Sequence, residues 1–99
     1  MIKVEEVFQE TLRDSVENPD GSLQIKTRKV YSTRECSINT DYIVTVHPHK
    51  FTSSSDLHML EGQLLKDRLF SKIVLDGNNF RASEMIVVLS FDKLQELLS

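Results

Sequence analysis

The segment His47-Pro48-His49 contains the residue types that could most directly do chemistry. Histidines two residues apart on an extended chain point to the same side of it. Neutral imidazoles are common ligands of zinc, copper and nickel, so this pair predicts, as one alternative, a metal site. Closing the site takes one or two further ligands from elsewhere in the fold. The side chains of suitable type are Cys36, Asp41, Asp56 and His58.

A catalytic centre has weaker support than a metal site. Cys36 beside a histidine would form the smallest nucleophile–base pair, but a single cysteine is more often a small buried apolar residue. The three glycines, Gly21, Gly62 and Gly77, are scattered and form no phosphate-binding loop. The sequence therefore favours a protein that is not an enzyme, without deciding the question, and it indicates no catalytic residue and no cofactor.

A basic segment, residues 24–34, predicts a second alternative. Positive charge combined with an aromatic ring is how many surfaces bind single-stranded nucleic acid. On a strand, Lys26 and Arg28 would share one face while Lys29 would lie on the other. The residues that would form this RNA- or DNA-binding face are Lys26, Arg28, Lys29, Tyr31 and Arg34.

The distribution of charge favours a different interpretation of the same segment. Residues 1–20 contain six acids and two bases, whereas residues 22–34 contain four bases and no acid. Opposite charges facing each other across two strands stabilise a sheet without any external partner. We therefore expect the two stretches to lie side by side and to neutralise each other. The net charge of -3 is what remains when their charges cancel.

Most elements that must position these residues are strands. Asn18-Pro19-Asp20-Gly21 is typical of a turn, and Asp76-Gly77-Asn78-Asn79 of a second one. Residues 9–17 stay open between helix and strand, because apolar residues recur there at four-residue spacing. A bend is expected at 38–41. The predicted strands cover residues 1–8, 23–33, 42–46, 70–75 and 80–89, with Met85 to Leu89 buried on both faces.

Two short helices are predicted. Ser55 or Asp56 could cap a helix over 56–68, although Gly62 in its middle costs about 1 kcal/mol relative to alanine. Its leucine stripe is either part of the core or a surface for a partner. The stripe consists of Leu57, Leu60, Leu64 and Leu65. Ser90 is expected to cap a C-terminal helix whose apolar face contains Phe91, Leu94, Leu97 and Leu98.

The composition fits one small soluble domain covering residues 1–99. The chain is 39% hydrophobic and 27% charged and has a single cysteine. No window approaches the roughly 18 consecutive apolar residues of a membrane span. The start of the chain lacks the basic and apolar regions of a secretory signal, so we expect a cytoplasmic protein that does not contact a membrane. The predicted fold is α+β, with a mainly antiparallel sheet of four to five strands, a mid-chain helix and a short C-terminal helix.

Parts of the chain resemble the small flagellar FlbD-like family. The resemblance extends over about half of the chain, and the residues that carry it are 38–46, the segment 72–78 containing Asp76-Gly77, Ala82-Ser83-Glu84, and the helix start at Ser90-Phe91-Asp92-Lys93. The acidic N-terminal segment and the stretch from Pro48 to Leu69 depart from the pattern. The resemblance implies a small β-sheet or barrel-like unit closed by a C-terminal helix, with a regulatory role and no catalytic residues to carry over.

These observations favour a small, non-enzymatic binding or regulatory module that acts through protein–protein contacts. Its partner would be another protein or a second copy of the chain. The alternatives are RNA or DNA binding by the 24–34 strand, and metal binding by His47 and His49.

Overall fold

The computed structural model describes residues 1–61, 65, 67–77 and 83–99. They form one five-stranded sheet in the order β2-β1-β5-β4-β3, in which every neighbouring pair is antiparallel. The predicted α+β fold, with one mid-chain helix and one C-terminal helix, is confirmed. The elements are β1 (Ile2–Glu17), β2 (Leu23–Ile38), a 3-10 turn (Thr40–Tyr42), β3 (Ile43–His49), α1 (Ser54–Glu61), β4 (Phe70–Leu75), β5 (Glu84–Val87) and α2 (Phe91–Leu98).

Strands β1 and β2 form a long, regular hairpin. Their register runs without interruption from Ile2 opposite Ile38 to Glu17 opposite Leu23. Residues 9–17, left open by the sequence, are therefore strand. The four-residue apolar spacing that suggested a helix is an even number, so it also places those side chains on one face of a strand.

The turn predicted at residues 18–21 closes this hairpin. Gly21 has φ +87°, a conformation that glycine adopts without steric cost, and its N–H donates to the Asn18 carbonyl at 2.9 Å. The Asp20 carboxylate accepts from both the backbone N–H and the hydroxyl of Ser22, at 3.0 and 2.6 Å. These hydrogen bonds hold the pKa of Asp20 below its ordinary value.

The sheet has an apolar core on each face. The first core packs α2 against the sheet and contains Ile2, Val4, Ile38, Ile73, Leu75, Val87 and Leu94. The second lies on the α1 side and contains Val7, Leu60, Leu65, Phe70 and Val88. The run from Met85 to Leu89 alternates between the two cores, as its continuous apolar character predicted.

Helix α1 is shorter than the predicted 56–68. Within the described residues it covers Ser54–Glu61, and Leu65, Asp67 and Arg68 are not helical. The Leu65 N–H donates to the Leu60 carbonyl at 3.2 Å, outside the regular helical pattern. The cap was also assigned wrongly, because Ser53 rather than Ser55 or Asp56 accepts the first-turn hydrogen bond, from the Asp56 N–H at 3.1 Å.

Strand β5 is shorter than the predicted 80–89. Within the described residues it covers Glu84–Val87, while Phe80 to Ala82 and the turn residues Asn78 and Asn79 lie outside them. The strand ends at Val87, and the Val88 N–H still donates to the Glu5 carbonyl of β1 at 2.9 Å. The Ser90 hydroxyl accepts from the Lys93 N–H at 3.3 Å, which confirms Ser90 as the cap of α2.

Strands β2 and β3 are the two edges of the sheet. Strand β3 extends through Pro48, which an edge strand tolerates because the missing N–H would face solvent. A register shift between Ile43 and Thr45 interrupts the ladder with β4. Both features discourage another strand from adding to this edge. No helix within the described parts of the chain has the length and apolar character needed to cross a membrane.

Candidate functional site

The far part of the β1–β2 hairpin, residues 11–29, extends beyond the rest of the molecule, and we call it the ribbon arm. The last side-chain contacts between the hairpin and α1 lie just before it. Gln9 Nε2 donates to Met59 Sδ at 3.6 Å, and the Tyr31 hydroxyl donates to Asp56 at 2.9 Å. Tyr31 also packs on Phe51, with ring centroids 5.1 Å apart.

The dimensions of the molecule reflect the ribbon arm. None of residues 11–29 is buried, and only Leu12 and Asn18 are partly covered. The longest axis measures 61 Å, and the radius of gyration is 17.0 Å. A compact domain of this length would have a radius of gyration near 13 Å. The ribbon arm is thus a two-stranded projection from a small body.

The tip of the ribbon arm, residues 14–25, exposes apolar side chains. Leu23 and Ile25 are 74% and 68% exposed, and the register places both on the same face, opposite Glu17 and Ser15. Val16 is exposed on the other face. The tip contains three acids and no base, and the cations Arg13 and Lys26 lie directly next to it on the side of the body. It therefore presents apolar side chains next to acids. Neighbouring exposed apolar side chains of this kind indicate a surface that contacts another molecule.

The basic segment and the N-terminal acids lie side by side as predicted, and ion pairs join them at two of the four bases. Arg34 Nε lies 2.6 Å from the Glu6 carboxylate, and Arg28 Nε lies 3.5 Å from that of Asp14. As predicted, Lys26 and Arg28 share one face of β2 and Lys29 lies on the other. Because β2 is an edge strand, its basic side chains also have a structural role, since charged residues discourage edge-to-edge pairing.

The two candidate metal ligands lie near the end of β3. Thr45 Oγ1 and His47 Nε2 are 3.0 Å apart, and His49 packs edge-on against Phe51 with ring centroids 4.8 Å apart. Burial, followed by the charge of Lys72, lowers the pKa of His49. Among the described residues, no group of three or more His, Cys, Asp or Glu side chains is arranged to hold a metal ion. The additional ligands that the sequence considered are therefore not brought to His47 and His49.

The leucine stripe of the mid-chain helix packs inward where the structure describes it. Leu60 and Leu65 are buried in the second core, and Leu57 packs against it while remaining half-buried. Leu64 lies outside the described residues. Packing in the second core accounts for Leu60 and Leu65, while the half-buried Leu57 also lines the cleft described next.

A cleft of about 690 Å³ opens beside α1. Its apolar lining contains Phe51, Leu57, Leu60, Leu69, Phe70 and Phe91. Leu69 is 67% exposed, so part of this lining faces solvent. The permanently charged side chains at the cleft are the cations Lys50 and Arg68 and the acid Asp92.

Sequence reasoning identified neither the ribbon arm nor the cleft. The sequence does contain a signal for the arm. In residues 11–17 and 23–29, polar side chains occur at odd and at even positions, so neither face of these strands could be buried. The cleft combines residues from β3, α1, β4 and α2, which are distant in sequence. Only the tertiary structure brings them together.

Comparisons of the chain with protein-family models, with curated proteins and with solved structures found no match. The resemblance to the FlbD-like family therefore stays a prediction. The assignment of a function depends on the surfaces described above.

Proposed function

We propose that this chain is a small, non-enzymatic binding module that acts through protein–protein contacts, and that the ribbon arm makes the contact. The observation that carries the proposal is the exposure of Leu23 and Ile25 on one face of a projecting ribbon. Exposed apolar side chains cost free energy in water unless a partner covers them. A projecting hairpin can reach a partner without rearrangement of the body.

A regulatory role in the cytoplasm belongs to the same proposal. Cys36 is a free thiol, which suits a reducing compartment. A contact through one narrow ribbon is small, and small contacts are typical of transient associations. Such reversible binding suits regulation better than it suits a permanent assembly.

Nucleic-acid binding through residues 24–34 has less support than protein binding. Two of its four cations, Arg28 and Arg34, are paired with acids of β1. The exposed large hydrophobic side chains of the ribbon arm are aliphatic, whereas stacking on bases needs aromatic rings. The ring in this segment, Tyr31, packs on Phe51 at the base of the hairpin.

The proposal is tested by capture from a lysate of the source cell with three forms of the tagged chain. They are the wild type, the double variant Leu23→Ser, Ile25→Ser, and the control Val44→Ser, which removes a 63% exposed apolar side chain from β3 in the body. A partner other than the chain itself should be retained by the wild type and the control but lost from the double variant. A partner that is a second copy of the chain should instead appear as self-association of the wild type, which the purified double variant loses. Retention by all three forms would show that the ribbon arm is not the binding surface.

A gel-shift titration with single- and double-stranded nucleic acid distinguishes the alternative. Binding through Arg28 and Lys29 would weaken steeply as salt increases, because phosphate contacts release counterions. We expect no shift at low salt. A shift abolished by Arg28→Ala with Lys29→Ala would favour the nucleic-acid function instead.

A further inference from the structure

The tip of the ribbon arm and the cleft have complementary chemistry. The tip combines exposed Leu23 and Ile25 with acids, whereas the cleft combines exposed and half-buried apolar side chains with Lys50 and Arg68. We infer that the cleft binds the ribbon-arm tip of a second copy of this chain. This inference rests on the proposed function, because it names the partner that the ribbon arm contacts.

The charges of the two surfaces favour this occupant. Within the tip, Asp14 is engaged by Arg28 and Asp20 by Ser22, whereas the Glu17 carboxylate lies on the face of Leu23 and Ile25, where a partner would meet it. Among the described residues that line the cleft, the charged side chains are Lys50, Arg68 and one acid, Asp92. Burial, followed by the charge of Lys72, lowers the pKa of the lining residue His49. An acidic apolar tip therefore meets a site with an excess of positive charge.

The shapes of the two surfaces also agree. The tip is the end of a two-stranded ribbon, and the cleft is open to solvent and large enough for several side chains, at about 690 Å³. The unbroken register of the hairpin keeps the tip extended away from its own body, along the 61 Å axis of the molecule. The occupant must therefore come from another molecule.

Sedimentation over a concentration series tests the inference with variants on exposed side chains. The tip variant is Leu23→Ser with Ile25→Ser, and the cleft variant is Arg68→Glu with Leu69→Ser. We expect each to weaken self-association on the order of tenfold or more, since each removes two side chains of the contact. The control Val44→Ser should associate like the wild type. Urea unfolding of every variant checks that the fold is retained.

Mixing the two variants identifies the contact itself. The tip variant retains an intact cleft and the cleft variant retains an intact tip, so the mixture should associate more strongly than either variant alone. A charge exchange provides a second test, in which Glu17→Lys and Arg68→Glu each weaken association and their combination restores part of it.

Two results would overturn the inference. One is a wild type that stays monomeric at every concentration, and the other is self-association that persists in both variants. A monomeric chain that still captures another protein through Leu23 and Ile25 would overturn this inference alone. If the tip variant captures partners and self-associates as the wild type does, the proposed function is overturned as well.

Discussion

The two ends of the β1–β2 hairpin contain the same kinds of residue in opposite environments. Ile38 and Ile25 lie on the same strand and in the same uninterrupted ladder, yet Ile38 is 2% exposed and Ile25 is 68% exposed. The difference arises from what covers the ladder rather than from the ladder itself. The helices and the remaining strands cover the end near Ile38, and nothing among the described residues covers the end near Ile25.

This comparison separates two contributions to the stability of a strand. Backbone pairing continues through residues 11–17 and 23–29, although an isolated two-stranded hairpin is only marginally stable in water. The ribbon arm is ordered because its ladder continues from a body that is packed on both faces. Side chains near the body therefore stabilise the fold, while those at the tip are available for binding.

The largest expected effect comes from truncating the two isoleucines of β2. Ile38→Ala leaves a cavity in the first core and should lower the free energy of unfolding by about 2–5 kcal/mol. Ile25→Ala, with the same atoms removed, should change it by about 0.5 kcal/mol or less. Urea unfolding followed by circular dichroism measures both. Equal losses for the two variants would mean that the tip is packed as well as the base.

An intermediate effect is expected at Tyr31, where the hairpin makes its last contact with α1. Tyr31→Phe removes the hydrogen bond to Asp56 but keeps the ring packed on Phe51, and it should cost about 1 kcal/mol. Urea unfolding at pH 7 measures this loss. No loss would show that the hydrogen bond does not help to hold the hairpin against α1.

The pH dependence of stability provides a second measurement of the same contact. Burial, together with the Asp56 hydrogen bond and charge, raises the pKa of Tyr31 from its ordinary value of 10.0 to about 12. The stabilisation from the protonated phenol is therefore fully present below pH 10 and is lost as the pH rises from 10 to 12. The difference in stability between the wild type and Tyr31→Phe should shrink over this range. A constant difference would exclude Tyr31 as its origin.

The smallest effects are expected from the two arginine–carboxylate pairs of the hairpin. The Arg34–Glu6 pair is short and lies near the body, and the Arg34 guanidinium also lies 4.6 Å from the centre of the Phe8 ring. Arg34→Ala should cost about 1 kcal/mol. Arg28 pairs with Asp14 at 3.5 Å on the exposed ribbon arm, so Arg28→Ala should cost about 0.5 kcal/mol or less. Urea unfolding in low and high salt measures both losses of stability, and high salt should reduce each of them. A larger loss for Arg28→Ala than for Arg34→Ala would contradict the expected order.

The sequence predicted the features that depend on neighbouring residues or on the sum of charges. The turn at 18–21 follows from Pro19 and Gly21, and the cap at Ser90 follows from one side chain before an apolar run. The pairing of Arg34 with Glu6 followed from complementary charge on adjacent strands. These features need no knowledge of which elements pack together.

The features that the sequence did not predict depend on tertiary packing. Ser53 caps α1 among several adjacent polar residues, each of a suitable type, and only the observed helix start distinguishes it. The spacing of His47 and His49 did not indicate whether a third ligand would approach them. The candidate site was missed for the same reason, since the exposure of Leu23 and Ile25 depends on where the two helices stop covering the sheet.

Because the register of the hairpin is unbroken, each residue added to or removed from both strands moves the tip by one fixed step. Removing one residue from each strand of the ribbon arm would retract the tip by about 3.4 Å and exchange its two faces, turning Leu23 and Ile25 to the opposite side of the molecule. Removing two from each would retract it by about 7 Å and leave those faces unchanged. A partner that contacts Leu23 and Ile25 on one face can therefore tolerate a change in arm length only when it adds or removes two residues per strand.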